Sequence, residues 1–141
     1  MRSYLIVGNQ TLDSPTLASA ILERVGQGPA AFHIVVPATP IKGGLTWDED
    51  KAREVARERL DAMLTRLRAE GTEATGEIGA PDPIEAVEDA IRGREVDEIL
   101  LSTLPSGISR WLGQDIPSRL KGSVLIPVVV LTAERATIQA S

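Results

Sequence analysis

At 141 residues the chain has the length of one ordinary domain, enough to bury a core without covalent staples. It has no cysteine, which excludes disulfides, thiolate metal sites and cysteine nucleophiles. Twenty acidic side chains against fifteen basic ones give a net charge of −5, and aromatics make up 3% of the residues, so neither a phosphate-gripping nucleic-acid surface nor a base-stacking platform is expected.

The first strand is the apolar run Tyr4 to Val7, continuous as in a strand buried on both faces. The run is too short for a signal peptide or a membrane span, so a cytoplasmic protein without a membrane partner is expected. A polar turn, Gly8-Asn9-Gln10-Thr11, follows. Ser14 then serves as a cap with Pro15 at the first helical position, and Leu17, Ile21, Leu22 and Val25 recur at helical spacing up to Gly26 and Gly28. Phe32 to Val36 is the second strand, and Pro37 to Leu45 is a long loop rich in proline and glycine. Thr46 and Glu49 form a capping box at the next helix. Its stripe is Ala52, Val55, Ala56, Leu60, Met63, Leu64 and Leu67, and its charged residues alternate in sign as on a solvated face.

Thr72 to Gly79 alternates weakly, as an outer strand. Asp82-Pro83 opens a third helix with Ile84, Val87 and Ile91 on its buried side. Val96 to Leu101 is a fourth strand, ending at Ser102 and Thr103 in a Pro/Gly/Ser loop. Trp111, Leu112, Ile116 and Leu120 follow as one helix, and Val124 to Leu131 closes the chain's regular structure as a last strand. Strands alternating with helices predict a parallel sheet covered on both faces, a single three-layer doubly wound α/β domain over residues 1–131. Residues 132–141 read as a polar tail without periodicity.

Three stretches carry a resemblance. Gly79 to Val87 (GAPDPIEAV), Gly107 to Gly113 (GISRWLG) and Ile126 to Val130 (IPVVV), in this order and spacing, resemble the universal stress protein family. The resemblance implies a five-stranded parallel sheet of order 3-2-1-4-5, and a homodimer through the last strand. That strand, Val124 to Leu131, is apolar and blunted only by Pro127, which suits an edge that pairs with a partner. The resemblance also implies ATP or AMP as ligand, held by a G-x2-G-x9-G-[ST] loop after the fourth strand whose backbone amides meet the phosphates.

The sequence departs from that loop. Ser102 stands at the first glycine and Pro105, which has no amide hydrogen, at the second. Gly113 comes two residues before the last glycine and is followed by Gln114. Asn9 takes the place of an aspartate found after the family's first strand. What remains is a set of hydroxyls, amides and one guanidinium suited to a nucleotide or another small anion. The candidate binding residues are Gly8, Asn9, Pro37, Thr39, Ser102, Thr103, Ser106, Gly107, Ser109, Arg110 and Gly113. Ser106 and Ser109 have a plainer alternative role as helix caps, and Pro37 to Leu45 as a stiff connection in which Thr39 or Lys42 would otherwise reach a ligand.

No catalytic or metal-ligating set is legible. His33 lies between Phe32 and Ile34 in an apolar strand, with no second histidine or cysteine to complete a metal site and no assignable nucleophile, so it reads as a hydrogen-bonded packing residue. Trp47 and Trp111 are candidates for stacking on a ligand; the plainer reading has Trp47 packing at a helix entry and Trp111 packing the fourth helix onto the sheet or lying in an interface. Three functions stay open: a stress-response-type regulatory module binding a nucleotide or anion, a dimeric scaffold that binds no ATP, and a nucleotide hydrolase or transferase. Against the last, neither an SGGxDS loop nor an HxGH signature is present.

Overall fold

A computed structural model describes residues 1–39, 49–105 and 109–133. In chain order the elements are β1 (Arg2–Val7), α1 (Pro15–Gly26), β2 (Ala30–Pro37), α2 (Glu49–Ala69), β3 (Glu73–Gly79), α3 (Pro83–Ile91), β4 (Glu98–Thr103), α4 (Arg110–Gly113), α5 (Ile116–Ser123) and β5 (Val128–Thr132). The five strands form one parallel sheet of order β3-β2-β1-β4-β5. The domain is therefore the doubly wound three-layer α/β fold that the alternating pattern and the resemblance predict.

The central strands have no polar face. Leu5, Ile6 and Val7 of β1 and Ile99, Leu100 and Leu101 of β4 are fully buried. Their side chains alternate between two cores. Ile6, Phe32, Ile34 and Leu100 meet Leu17 and Ile21 of α1 and Ala56, Leu60 and Met63 of α2. Leu5, Val7, Val35 and Leu101 meet Ala86 and Val87 of α3 and Ile116 and Leu120 of α5. Burying each such aliphatic side chain is worth about 1.5–3 kcal/mol. An ion pair adds a tie between layers: Arg24 Nε of α1 lies 2.7 Å from Glu98 Oε1 of β4, both side chains mostly buried.

The helix starts follow local chemistry. Ser14 Oγ accepts from the Leu17 amide at 3.1 Å, and the Asp82 carboxylate accepts from the Ile84 amide at 3.0 Å, each with proline next in line. The capping box at Thr46, with Trp47, lies outside the described residues apart from Glu49.

Several expectations are corrected. On α1 the buried side is Leu17, Ala20 and Ile21, whereas Leu22 and Val25 face solvent. On α3 small residues do the packing, since Ala86, Val87 and Ala90 are buried while Ile84 and Ile91 are only half-buried. The helix expected through Trp111 and Leu120 is two helices, because Asp115 takes a left-handed conformation (φ 57°) between them. Ser102 and Thr103 belong to β4, registered against Leu131 and Thr132, and not to the loop. The last strand starts at Val128 and not at Val124, because the Val124 amide still donates to Leu120 O of α5. No described helix is long and apolar enough to cross a membrane.

Candidate functional site

The chain leaves β1 and β4 toward opposite faces of the sheet, which opens a crevice beyond their carboxyl ends, the usual ligand position in such sheets. A cleft of about 520 Å³ occupies that place. Its floor is the turn after β1 and the end of β4. Here Gly8 brings the two segments together: a Cβ on it would sit 3.1 Å from Leu12 Cδ2 and 3.3 Å from Ser102 Cβ. Thr11 and Ser102, both buried, share a 2.5 Å hydrogen bond between their hydroxyls. Only one of the two hydroxyl protons serves this bond, so the other remains for a ligand.

Asn9 is the second floor residue and is also buried. Its Nδ2 donates to Pro37 O at 2.8 Å and to Thr39 Oγ1 at 3.1 Å, while its Oδ1 accepts from Arg59 Nη1 of α2. The amide orientation is fixed by its partners, because a guanidinium only donates and a carbonyl only accepts. Thr39 accepts from Asn9, which leaves its own hydroxyl proton to donate.

The walls come from α3 and from α4 and α5. Asp82, between Pro81 and Pro83, lines one side with its carboxylate engaged at the start of α3. Trp111, Gln114 and Arg119 line the other, with Leu104 and Ser109 between. Ser109 Oγ accepts from the Leu112 amide at 3.1 Å, so Ser109 acts as the cap of α4 while bordering the cleft.

Of the residues expected from the sequence, Asn9, Thr39, Ser102, Thr103 and Ser109 line the cleft. Gly8 and Pro37 lie beneath it as support, Gly8 by close approach and Pro37 through its carbonyl. Gly113 does not line it; a Cβ there would meet nothing within 4 Å. Ser106, Gly107 and the side chain of Arg110 lie outside the described residues, as do Pro40 and Lys42. Thr11, Asp82 and Arg119 are additional lining residues, and Arg59, not itself in the lining, reaches the floor through Asn9. The polar turn after the first strand pointed to Thr11. Arg119 lies on α5, after the break at Asp115 that the sequence pattern did not show, and Arg59 looked like part of a solvated face.

His33 stands apart from the cleft. Its Nδ1 lies 2.7 Å from Thr75 Oγ1 and its Nε2 3.2 Å from Glu77 Oε2. Thr75 donates to Nδ1 and Nε2–H donates to Glu77, so the neutral ring is fully satisfied. Burial pushes its pKa below the usual 6.5, against the opposing effect of its hydrogen bond to the Glu77 carboxylate. Among the described residues no group of three or more histidine, aspartate or glutamate side chains could hold a metal ion.

No family model and no curated protein sequence matches the chain. Solved structures do. A universal stress protein family member from Burkholderia pseudomallei superposes with a TM-score of 0.60 at 20% identity, over 92% of this chain and 94% of that one. One from Arabidopsis thaliana, solved with AMP bound, gives 0.67 at 8% identity, over 97% and 95%. The universal stress protein of Archaeoglobus fulgidus in complex with dAMP gives 0.58 at 16% identity, over 93% and 97%. At these identities the likeness speaks for architecture, and it runs the length of each chain: this protein has the universal stress protein fold.

Proposed function

We propose that this protein is a regulatory module that binds a nucleotide, AMP or ATP, or another small anion, in the cleft beyond β1 and β4. The observation that carries the reading is the donor-rich floor. Among the described residues nothing accepts the Thr39 hydroxyl proton or the spare proton of the Thr11–Ser102 pair, and Arg119 stands at the wall. Asn9, Thr39, Ser102, Thr103 and Ser109 are the proposed binding residues, on a domain whose last strand runs past the expected boundary at 131 to Thr132, with the Ala133 amide still donating to Thr103 O. The nucleotides in the Arabidopsis and Archaeoglobus structures, carried by the same fold, support the same ligand class. A cytoplasmic location goes with this role.

Calorimetric titration with AMP and ATP tests it on wild type and on Arg119→Gln, an exposed position that leaves the core intact. Saturable binding, weakened about tenfold by loss of the charge-assisted contact, is the expected result. Absence of binding to either nucleotide and to inorganic phosphate refutes it.

A second reading, a dimeric scaffold without a nucleotide, is favoured by a different observation. The last strand is apolar from Val128 to Leu131 yet only half-buried, and Leu125 just before it is fully exposed. Such an edge suits pairing with a second copy. Sedimentation of the unliganded protein as a stable dimer, with no nucleotide heat, would favour this reading. A dimer that also binds AMP would join the two.

A further inference from the structure

We infer that Arg59 of α2 sets the ligand polarity of the cleft, making it select anionic, acceptor-rich ligands over neutral ones. This rests on the cleft being a ligand site, and adds which residue decides what it takes. The argument starts from charge. The cleft's lining residues include one cation, Arg119, and one anion, Asp82, so the described walls balance. The chain as a whole is acidic, at −5, and does nothing to attract an anion at long range. Arg59 breaks the balance. It reaches from the helix layer to Asn9 at the floor, and among the described residues no carboxylate pairs with it, whereas Arg24, Arg57 and Arg92 each meet one.

The second part is hydrogen-bond polarity. Asn9 would ordinarily offer a cleft one acceptor and two donors. Arg59 occupies the acceptor, Oδ1, while Pro37 O and Thr39 Oγ1 take the Nδ2 side. A ligand with a donor group therefore meets at Asn9 an oxygen already engaged by a cation, with one lone pair left, whereas a ligand with acceptors finds the Thr39 hydroxyl and the field of Arg59. Removing Arg59 leaves the Nδ2 anchor in place, frees Oδ1 and deletes the charge. Both changes move the cleft from anionic toward neutral, donor-bearing ligands.

Arg59 thus acts as a positioning residue through Asn9, and its signature is a ratio. The experiment is calorimetric titration of the full chain with AMP and with adenosine, on wild type, Arg59→Gln and Arg59→Lys. Side-chain amide NMR of Asn9 without ligand accompanies it. Wild type prefers AMP. Arg59→Gln lowers AMP affinity about tenfold and leaves adenosine unchanged or tighter, so the preference collapses, and lysine restores part of it. The Asn9 side-chain amide resonance shifts in Arg59→Gln, reporting the lost partner.

An equal loss for both ligands marks Arg59 as merely structural and overturns the inference. So does an unchanged ratio, or an unmoved Asn9 amide. Failure of wild type to bind AMP, adenosine or phosphate overturns the ligand site itself, and this inference with it. Binding of AMP with an unchanged ratio leaves the ligand site standing and removes only Arg59.

Discussion

Thr11 and Ser102 lie 91 residues apart and meet in a 2.5 Å hydrogen bond between two buried hydroxyls. This bond closes the turn after β1 onto the carboxyl end of β4, the two segments on which the cleft floor rests. Ser102, expected from the sequence in a loop, lies within β4 and faces Thr11 there. The hydroxyl has a partner waiting.

Removing one partner strands the other. Ser102→Ala leaves the Thr11 hydroxyl unpaired and lowers stability by about 1–3 kcal/mol, and Thr11→Val does the same to Ser102. The double variant loses less than the sum of the two. A urea double-mutant cycle measures this; strict additivity would show that the bond contributes nothing.

Gly79 at the end of β3 is required by contact, not by backbone angle. A Cβ there would lie 2.7 Å from Ala86 Cβ of α3 and 2.9 Å from Val35 Cγ2, both short and fixed. Gly79→Ala should destabilise the domain by about 1–3 kcal/mol through overpacking. Gly122 in α5, whose Cβ would meet nothing within 4 Å, is the internal comparison. There alanine should stabilise by up to about 1 kcal/mol. Thermal melts of the two variants with opposite shifts are the expected outcome.

The buried His33 makes stability fall with acidification. Its folded pKa lies below the ordinary 6.5, chiefly from burial. Between the folded value and 6.5 the unfolded chain therefore binds more protons than the folded one, and stability rises with pH across that window. The contribution is present above 6.5, is lost as pH falls toward the folded pKa, and is constant below it. His33→Gln should lack this component. Urea midpoints at about pH 7.5 and about pH 5.5 test it: wild type should lose more than the variant between them. Equal losses would mean that His33 is not the titrating group.

Leu125 tests the edge-pairing proposal without touching the core, because its side chain is fully exposed. If the chain dimerises through the segment at β5, Leu125→Lys should leave the melting temperature of the monomer unchanged and shift sedimentation toward the monomer. A dimer of unaltered strength would place the interface elsewhere.

The elements were legible because their signals are local. Val7 and Leu101 end apolar runs that need no tertiary information to read as buried strands. Ser14 and Asp82 announce their helices through cap chemistry spread over a few residues. What went astray did so where a distant contact outweighs local pattern. Leu22 and Val25 keep helical spacing on α1 but face solvent, since the sheet takes only the stripe through Leu17 and Ile21. The apolar run from Val124 gives no sign that α5 still holds its first residue by a hydrogen bond.

For the cleft the same division holds with more force. By itself the sequence determined that a doubly wound sheet forms, that Asn9, Thr39 and Ser102 come near its carboxyl edge, and that no thiolate chemistry is possible. Apolar period and cap residues act over one element, so one chain suffices to read them. Only the tertiary structure decided that Thr11 pairs with Ser102, that Asp115 breaks a helix and Arg119 after it lines the wall, and that Arg59 leaves its charged face to hold Asn9. Each is a meeting of residues whose separation along the chain says nothing about their distance in space, and a hydrogen bond forms only at that distance.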